Sequence, residues 1–138
     1  VMLGPDQFEE FSGAYVRRLV ESCRDVNIVY HICGSSMHLI DRLIASGVAG
    51  ISLDSPDRGV DLVSVAEKTR GETVIIGNIS TTNTLYLGTP EEVKREVREL
   101  LERMAPYRNF ILSTACDIPQ EVPPENIHAF MQAARERQ

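Results

Sequence analysis

His31 and Cys33 stand two residues apart, and Cys116 follows far along the chain. Imidazole nitrogen and thiolate sulfur are donors that suit zinc. Structural zinc sites close with four protein ligands, whereas catalytic ones use three and keep a position open. No Cys or His stands out for a fourth place, so the set reads as a site where something else binds. Two thiolates load zinc with negative charge and blunt its Lewis acidity, yet such a zinc still lowers the pKa of an incoming thiol. The resulting thiolate stays electron-rich and can attack a methyl donor. Water activation more often uses His-rich or His-Glu sets. The donors therefore tilt the chemistry toward thiol alkylation, with the Cys2His site of alcohol dehydrogenase as the other precedent.

Residues so far apart in sequence need a scaffold that brings them together. Apolar Phe8, Phe11, Val16, Leu19, Val20 and Cys23 recur at mostly three- to five-residue steps, predicting one helix over 6–24 with Cys23 in the core. Strands are predicted over 27–32, 48–53, 73–77 and 109–112. Between them lie a helix capped by Ser35 or Ser36 and ended by Gly47, and a short helix over 61–69. The segment 78–88 reads as a long polar loop. Thr89-Pro90-Glu91-Glu92 then starts a helix to about 105, with threonine capping, proline at the first helical position and glutamate closing a capping box. Pro123-Pro124 introduces a last helix to about 136.

A helix followed by four strand–helix units predicts parallel strands joined by right-handed crossovers. An open doubly wound sheet and part of a (β/α)8 barrel both suit that order. A whole barrel needs about 250 residues, so 138 residues would supply half of one, as a single partial domain over 1–138. No strand leads into a glycine-rich phosphate loop, since Gly34 stands alone behind Cys33. In barrels the chemistry sits where strands end. His31 and Cys33 lie at the end of the first strand, Asp54 ends the second, Asn78 the third, and Cys116 follows the fourth. Asp54 and Asn78 are thus the candidate catalytic side chains beside the ligands, with capping of the local backbone as the plainer role for each. His38 and His128 sit early on helices and are expected to be structural or at the surface.

Composition narrows the partners. A net charge of −6, with no concentration of lysine and arginine, argues against nucleic acid and against anionic membranes. The apolar runs are too short to span a bilayer, and the first residues carry no secretory signal. Three cysteines, an odd number, favour reduced thiols and a cytoplasmic setting over a disulfide framework. The opening Val1-Met2-Leu3-Gly4-Pro5 reads as the middle of a longer polypeptide.

Several segments occur in the order of a known family. They are His31-Ile32-Cys33-Gly34, Gly77-Asn78-Ile79, Gly88-Thr89-Pro90-Glu91-Glu92-Val93, Cys116-Asp117-Ile118-Pro119 and Pro123-Pro124-Glu125-Asn126-Ile127. Together they resemble the uroporphyrinogen decarboxylase-like superfamily. The His-x-Cys and late Cys resemble its methylcobamide:coenzyme M methyltransferase branch. The resemblance covers nearly the whole chain and the C-terminal half of the family's (β/α)8 TIM barrel. It implies that His31, Cys33 and Cys116 bind zinc, and that Asp54, where the family often has glutamate, can approach the metal and be displaced by substrate thiol. It also implies a methylated corrinoid as methyl donor, carried on a partner corrinoid protein, and a thiol such as coenzyme M as acceptor; homocysteine would serve the same chemistry. Departures are Ser113-Thr114-Ala115 where a Pro-Gly step is common, and Ser80-Thr81 in place of Asp-Pro. The rival expectations are a metal-free decarboxylase-like enzyme acting on a tetrapyrrole, and a non-catalytic zinc or corrinoid binding module. A half-barrel exposes two strand edges, so pairing of two copies, or a missing half located elsewhere in the native chain, is expected.

Overall fold

The computed structural model of the chain describes residues 2–136. The N-terminal helical run is α1 (Pro5–Phe8), a π turn (Glu9–Gly13) and α2 (Ala14–Ser22). The wide π turn adds a residue to the helical repeat and divides the predicted apolar face. Phe8 and Val16 are buried, whereas Phe11, Tyr15 and Leu19 point outward. Cys23, expected in the core, is exposed. It is the residue at which α2 unwinds, with φ −113° and ψ 54°, so it no longer shares the helical face.

Four strands follow, each close to its expected place: β1 (Val29–Ile32), β2 (Gly50–Leu53), β3 (Val74–Ile79) and β4 (Phe110–Thr114). Between β1 and β2 a 3-10 turn (Met37–Leu39) leads into α3 (Ile40–Ala45). Gly47 closes that connection in the left-handed conformation (φ 78°). Between β2 and β3 lies α4 (Leu62–Thr69), capped by Asp61, whose carboxylate accepts from Ser64 N. The segment expected as a loop between β3 and the next helix contains a second π turn (Thr81–Tyr86), capped by the Ser80 hydroxyl. Its apolar Leu85 is buried, and that burial holds the turn in place. The Thr89 capping box then opens α5 (Pro90–Met104) as the sequence predicts, and α6 (Pro124–Arg135) packs against α5.

All strand pairs are parallel and the sheet order is β1-β2-β3-β4. A doubly wound sheet reverses its strand order at a switch point; this one does not. One face carries Ile51, Leu53 and Ile75, all with no exposed surface, packed under the helices. On the opposite face His31, Ser52, Ile76 and Ile111 lie side by side in register across the four strands. Ile111 remains 53% exposed on that open face. Sequential order with helices on one face is the arrangement of half a (β/α)8 barrel.

Candidate metal centre

His31 and Cys33 share a face because side chains two apart on a strand point the same way. Both project from the C-terminal end of β1 toward the rim. Cys116 reaches that rim from beyond β4, where Ala115 N donates to Ile79 O at 2.8 Å and Thr114 Oγ1 donates to Cys116 O at 2.9 Å. β1 and β4 are the two outer strands. In a flat sheet three strand gaps would separate them by about 14 Å. Here Cys33 Sγ and Cys116 Sγ are 3.5 Å apart, so curvature of the sheet and the reach of the two rim segments bring the thiols together.

His31 Nε2 lies 3.1 Å from Cys33 Sγ and 3.8 Å from Cys116 Sγ. A tetrahedral zinc with ordinary Zn–S and Zn–N bonds separates its donor atoms by about 3.6–3.8 Å. The three donors lie within 4.8 Å of one another. The two separations that involve Cys116, 3.5 and 3.8 Å, are close to that spacing, and His31 Nε2–Cys33 Sγ, at 3.1 Å, is shorter. The other ring nitrogen, His31 Nδ1, is 3.0 Å from Ser52 Oγ, directly across the β1–β2 ladder. A proton on Nδ1, donated to Ser52, leaves the Nε2 lone pair free for the metal side.

The electrostatics favour a cation. The Cys33 thiol is held above its ordinary value, first by its hydrogen bond with Cys116, then by desolvation, and then by the charges of Cys116, Asp54 and Asp117. Crowded sulfurs beside carboxylates resist losing their protons until a positive charge compensates them. A divalent metal supplies that charge, and its binding would release the protons.

Asp54 and Asn78 are at the rim but not in the donor cluster. Asp54 Oδ2 accepts from Gly34 N at 2.5 Å and Oδ1 from Ser55 N at 2.7 Å, tying the β2 end to the β1 end. Asn78 is 2% exposed, and its Nδ2 donates to Asp54 O at 2.8 Å and Val60 O at 3.4 Å. It thereby clamps both ends of the segment 54–60. His38 Nε2 is 3.1 Å from Leu3 O, a structural contact away from the thiols. Cys33 and Cys116 stand between two clefts. One, of about 380 Å³, opens onto the barrel face along His31, Ser52 and Ser113. The other, of about 440 Å³, runs past Asp54 and Arg58 to Thr81, Thr82 and Asn83.

Sequence reasoning missed Ser52 and Arg58. The period of two in β2 places Ser52 on the face of His31, which was a usable signal. Arg58 carried no such signal, because it lies on a short turn (Pro56–Arg58) whose direction the tertiary structure sets.

Comparison with known proteins bears on the family and the fold. Over 136 residues the chain is 27% identical to a methylcobamide:CoM methyltransferase of Methanosarcina acetivorans, covering 97% of this chain and 38% of that protein. It is 28% identical over 137 residues to the chloroplastic uroporphyrinogen decarboxylase of Zea mays, covering 96% of this chain and 33% of that protein. A solved methyltransferase from Methanosarcina mazei superposes with a TM-score of 0.83 at 25% identity, covering 98% of this chain and 38% of that one. The chain thus spans well under half the length of these relatives. The sequence pattern of the uroporphyrinogen decarboxylase (URO-D) family matches residues 1–137, and the chain belongs to that family.

Proposed function

We propose that this chain is the metal-binding half-barrel of a zinc-dependent methyltransferase that moves a methyl group from a methylated corrinoid to a thiol such as coenzyme M. The observation that carries this reading is the convergence of His31 Nε2, Cys33 Sγ and Cys116 Sγ, at separations of 3.1, 3.5 and 3.8 Å. Similarity to methylcobamide:CoM methyltransferases supports it. Uroporphyrinogen decarboxylases match at comparable identity, so overall similarity does not separate the two activities. The soft donors support the methyltransferase reading, because metal-free decarboxylation has no use for two thiols and an imidazole at one point.

Zinc bound by His31, Cys33 and Cys116 would hold the acceptor thiol as an electron-rich thiolate. The chain's own residues prepare that place. Ser52 orients the His31 ring by its hydrogen bond with Nδ1, while Asp54 and Asn78 hold the β2 end and the segment that follows it. A corrinoid protein would present the methyl group at this open rim. The rest of the barrel, from a longer native chain or from a second copy, would pair the free edges of β1 and β4. No helix among the described residues is long and apolar enough to cross a membrane. The free thiols suit a reducing cytoplasm.

The zinc content of the purified chain and of its Cys33→Ser and Cys116→Ser variants tests the reading. About one zinc per chain is expected, lost in both variants. A folded wild-type chain that takes up no added zinc would overturn it in favour of the metal-free decarboxylase-like enzyme. If zinc binds, a turnover assay with a methylated corrinoid and a thiol separates an enzyme from a binding module.

A further inference from the structure

The cleft of about 440 Å³ beside the thiols contains a group that the zinc reading leaves unused. Arg58 is the one cation among the described residues lining it, and no carboxylate among the described residues lies within ion-pairing distance of its guanidinium. Nearby acids are otherwise engaged. Asp54 spends both oxygens on the backbone N–H groups of Gly34 and Ser55, and Asp57 accepts from Ser55 Oγ at 3.4 Å.

The root of Arg58 is fixed. Its N–H donates to Ser55 O at 3.0 Å, and Gly59 leaves the turn in the left-handed conformation (φ 76°) with its N–H on Pro56 O at 2.8 Å. Asn78 clamps both ends of the segment, at Asp54 and Val60. Thr81, Thr82 and Asn83 line the same cleft and offer further hydrogen-bond donors. With Asp54 and Asp57 along its wall, the cleft repels an anion unless a cation meets it. A guanidinium is the planar, always-charged donor that pairs well with carboxylate, sulfonate or phosphate oxygens.

We infer that Arg58 is the specificity-determining residue of this site, selecting thiols that carry an anionic group. The sulfur of such a thiol would seat beside His31, Cys33 and Cys116 while its acidic end meets Arg58, with Thr81, Thr82 and Asn83 as neighbours. This inference rests on the zinc–thiol reading for the seat of the sulfur. It goes beyond that reading by naming the residue that would meet the acidic end of such a thiol.

Calorimetric titration of the zinc-loaded chain with 3-mercaptopropionate and with neutral 3-mercapto-1-propanol tests it. The acidic thiol is expected to bind about tenfold tighter, the scale of one charge-assisted contact. Arg58→Gln should erase or invert that preference while leaving zinc content and the neutral thiol's affinity unchanged. Arg58→Lys, which keeps the charge without the fork, should retain part of it and covers the case in which the glutamine variant does not fold. A preference that survives in Arg58→Gln overturns the inference. Propionate, an anion with no thiol, separates the two readings through the NMR signal of Arg58 Nε–H in the metal-free chain. A shift on titration supports the anion site even if zinc or the neutral thiol fails to bind; no shift overturns it whatever the metal does.

Discussion

Replacing Ser52 by alanine isolates what the strand ladder contributes to the metal centre. The Ser52 hydroxyl lies 3.0 Å from His31 Nδ1, while the opposite ring nitrogen faces the two thiols at 3.1 and 3.8 Å. Removing it leaves the imidazole free to rotate or to change tautomer, and either change moves the lone pair off the metal direction. Partners of this kind typically contribute ten- to a hundredfold in metal affinity. Ser52 is only half-buried, so water can enter the vacated place and recover part of the interaction. The expected loss is therefore about tenfold in zinc affinity, roughly 1.4 kcal/mol. Competition for zinc against a chromophoric chelator measures it, with Ser52→Thr as the variant that keeps the hydroxyl. Ser113→Ala is the control, since Ser113 lines the same cleft with no hydrogen bond to His31. Affinity in Ser52→Ala within about twofold of wild type would refute the reasoning, because the hydrogen bond would then carry little of the typical second-partner effect. Complete loss, as expected of the cysteine variants, would also refute it by making Ser52 a ligand.

Asn78→Ala should cost about 2 kcal/mol in urea unfolding, because it strips the carbonyls of Asp54 and Val60 of a buried donor. A loss below about 0.5 kcal/mol, the scale of an ordinary surface change, would show that the clamp is not structural. The Asp61 carboxyl is desolvated, which raises its pKa. The hydrogen bonds from Ser64 and the charge of Arg103 outweigh this and hold it below its usual range. Its contribution to stability is complete above the unfolded value, about pH 3.9, and is lost as pH falls through the lower folded value. Asp61→Asn keeps a capping side chain but cannot titrate, so its stability should fall less steeply on acidification. Parallel acid limbs for the two proteins would count against this assignment.

Local chemistry made much of this fold legible in the sequence. The Thr89 capping box, the β-branched run at β3 and the glycine stop at Gly47 act within a few residues of themselves, and the structure places each where its pattern predicts. The order of strand and helix patterns led to four parallel strands in the same way, with the doubly wound sheet and the half-barrel both open. Family resemblance pointed to the half-barrel, and the sequential strand order agrees with it. The N-terminal apolar face failed because a π turn changes the repeat on which periodicity depends, and Cys23 sits where that helix ends. The polar segment before Thr89 hid a second π turn, held by burial of Leu85 rather than by its own propensity.

The candidate site divides along the same line. The sequence by itself determined the donor types and which strand end each would occupy, because a period of two and the parallel order of the strands suffice for that. Only the tertiary structure decided that the thiols of the two outermost strands meet across 83 residues, since sheet curvature is a sum over all four strands. It also decided that Ser52 faces His31, that Asn78 ties down both ends of the 54–60 segment, and that Arg58 shares a cleft with the sulfurs. Each of these is a contact between segments far apart in sequence, fixed by packing on the common core. Strand periodicity gives the face of Ser52, but no local pattern encodes the partner it meets there.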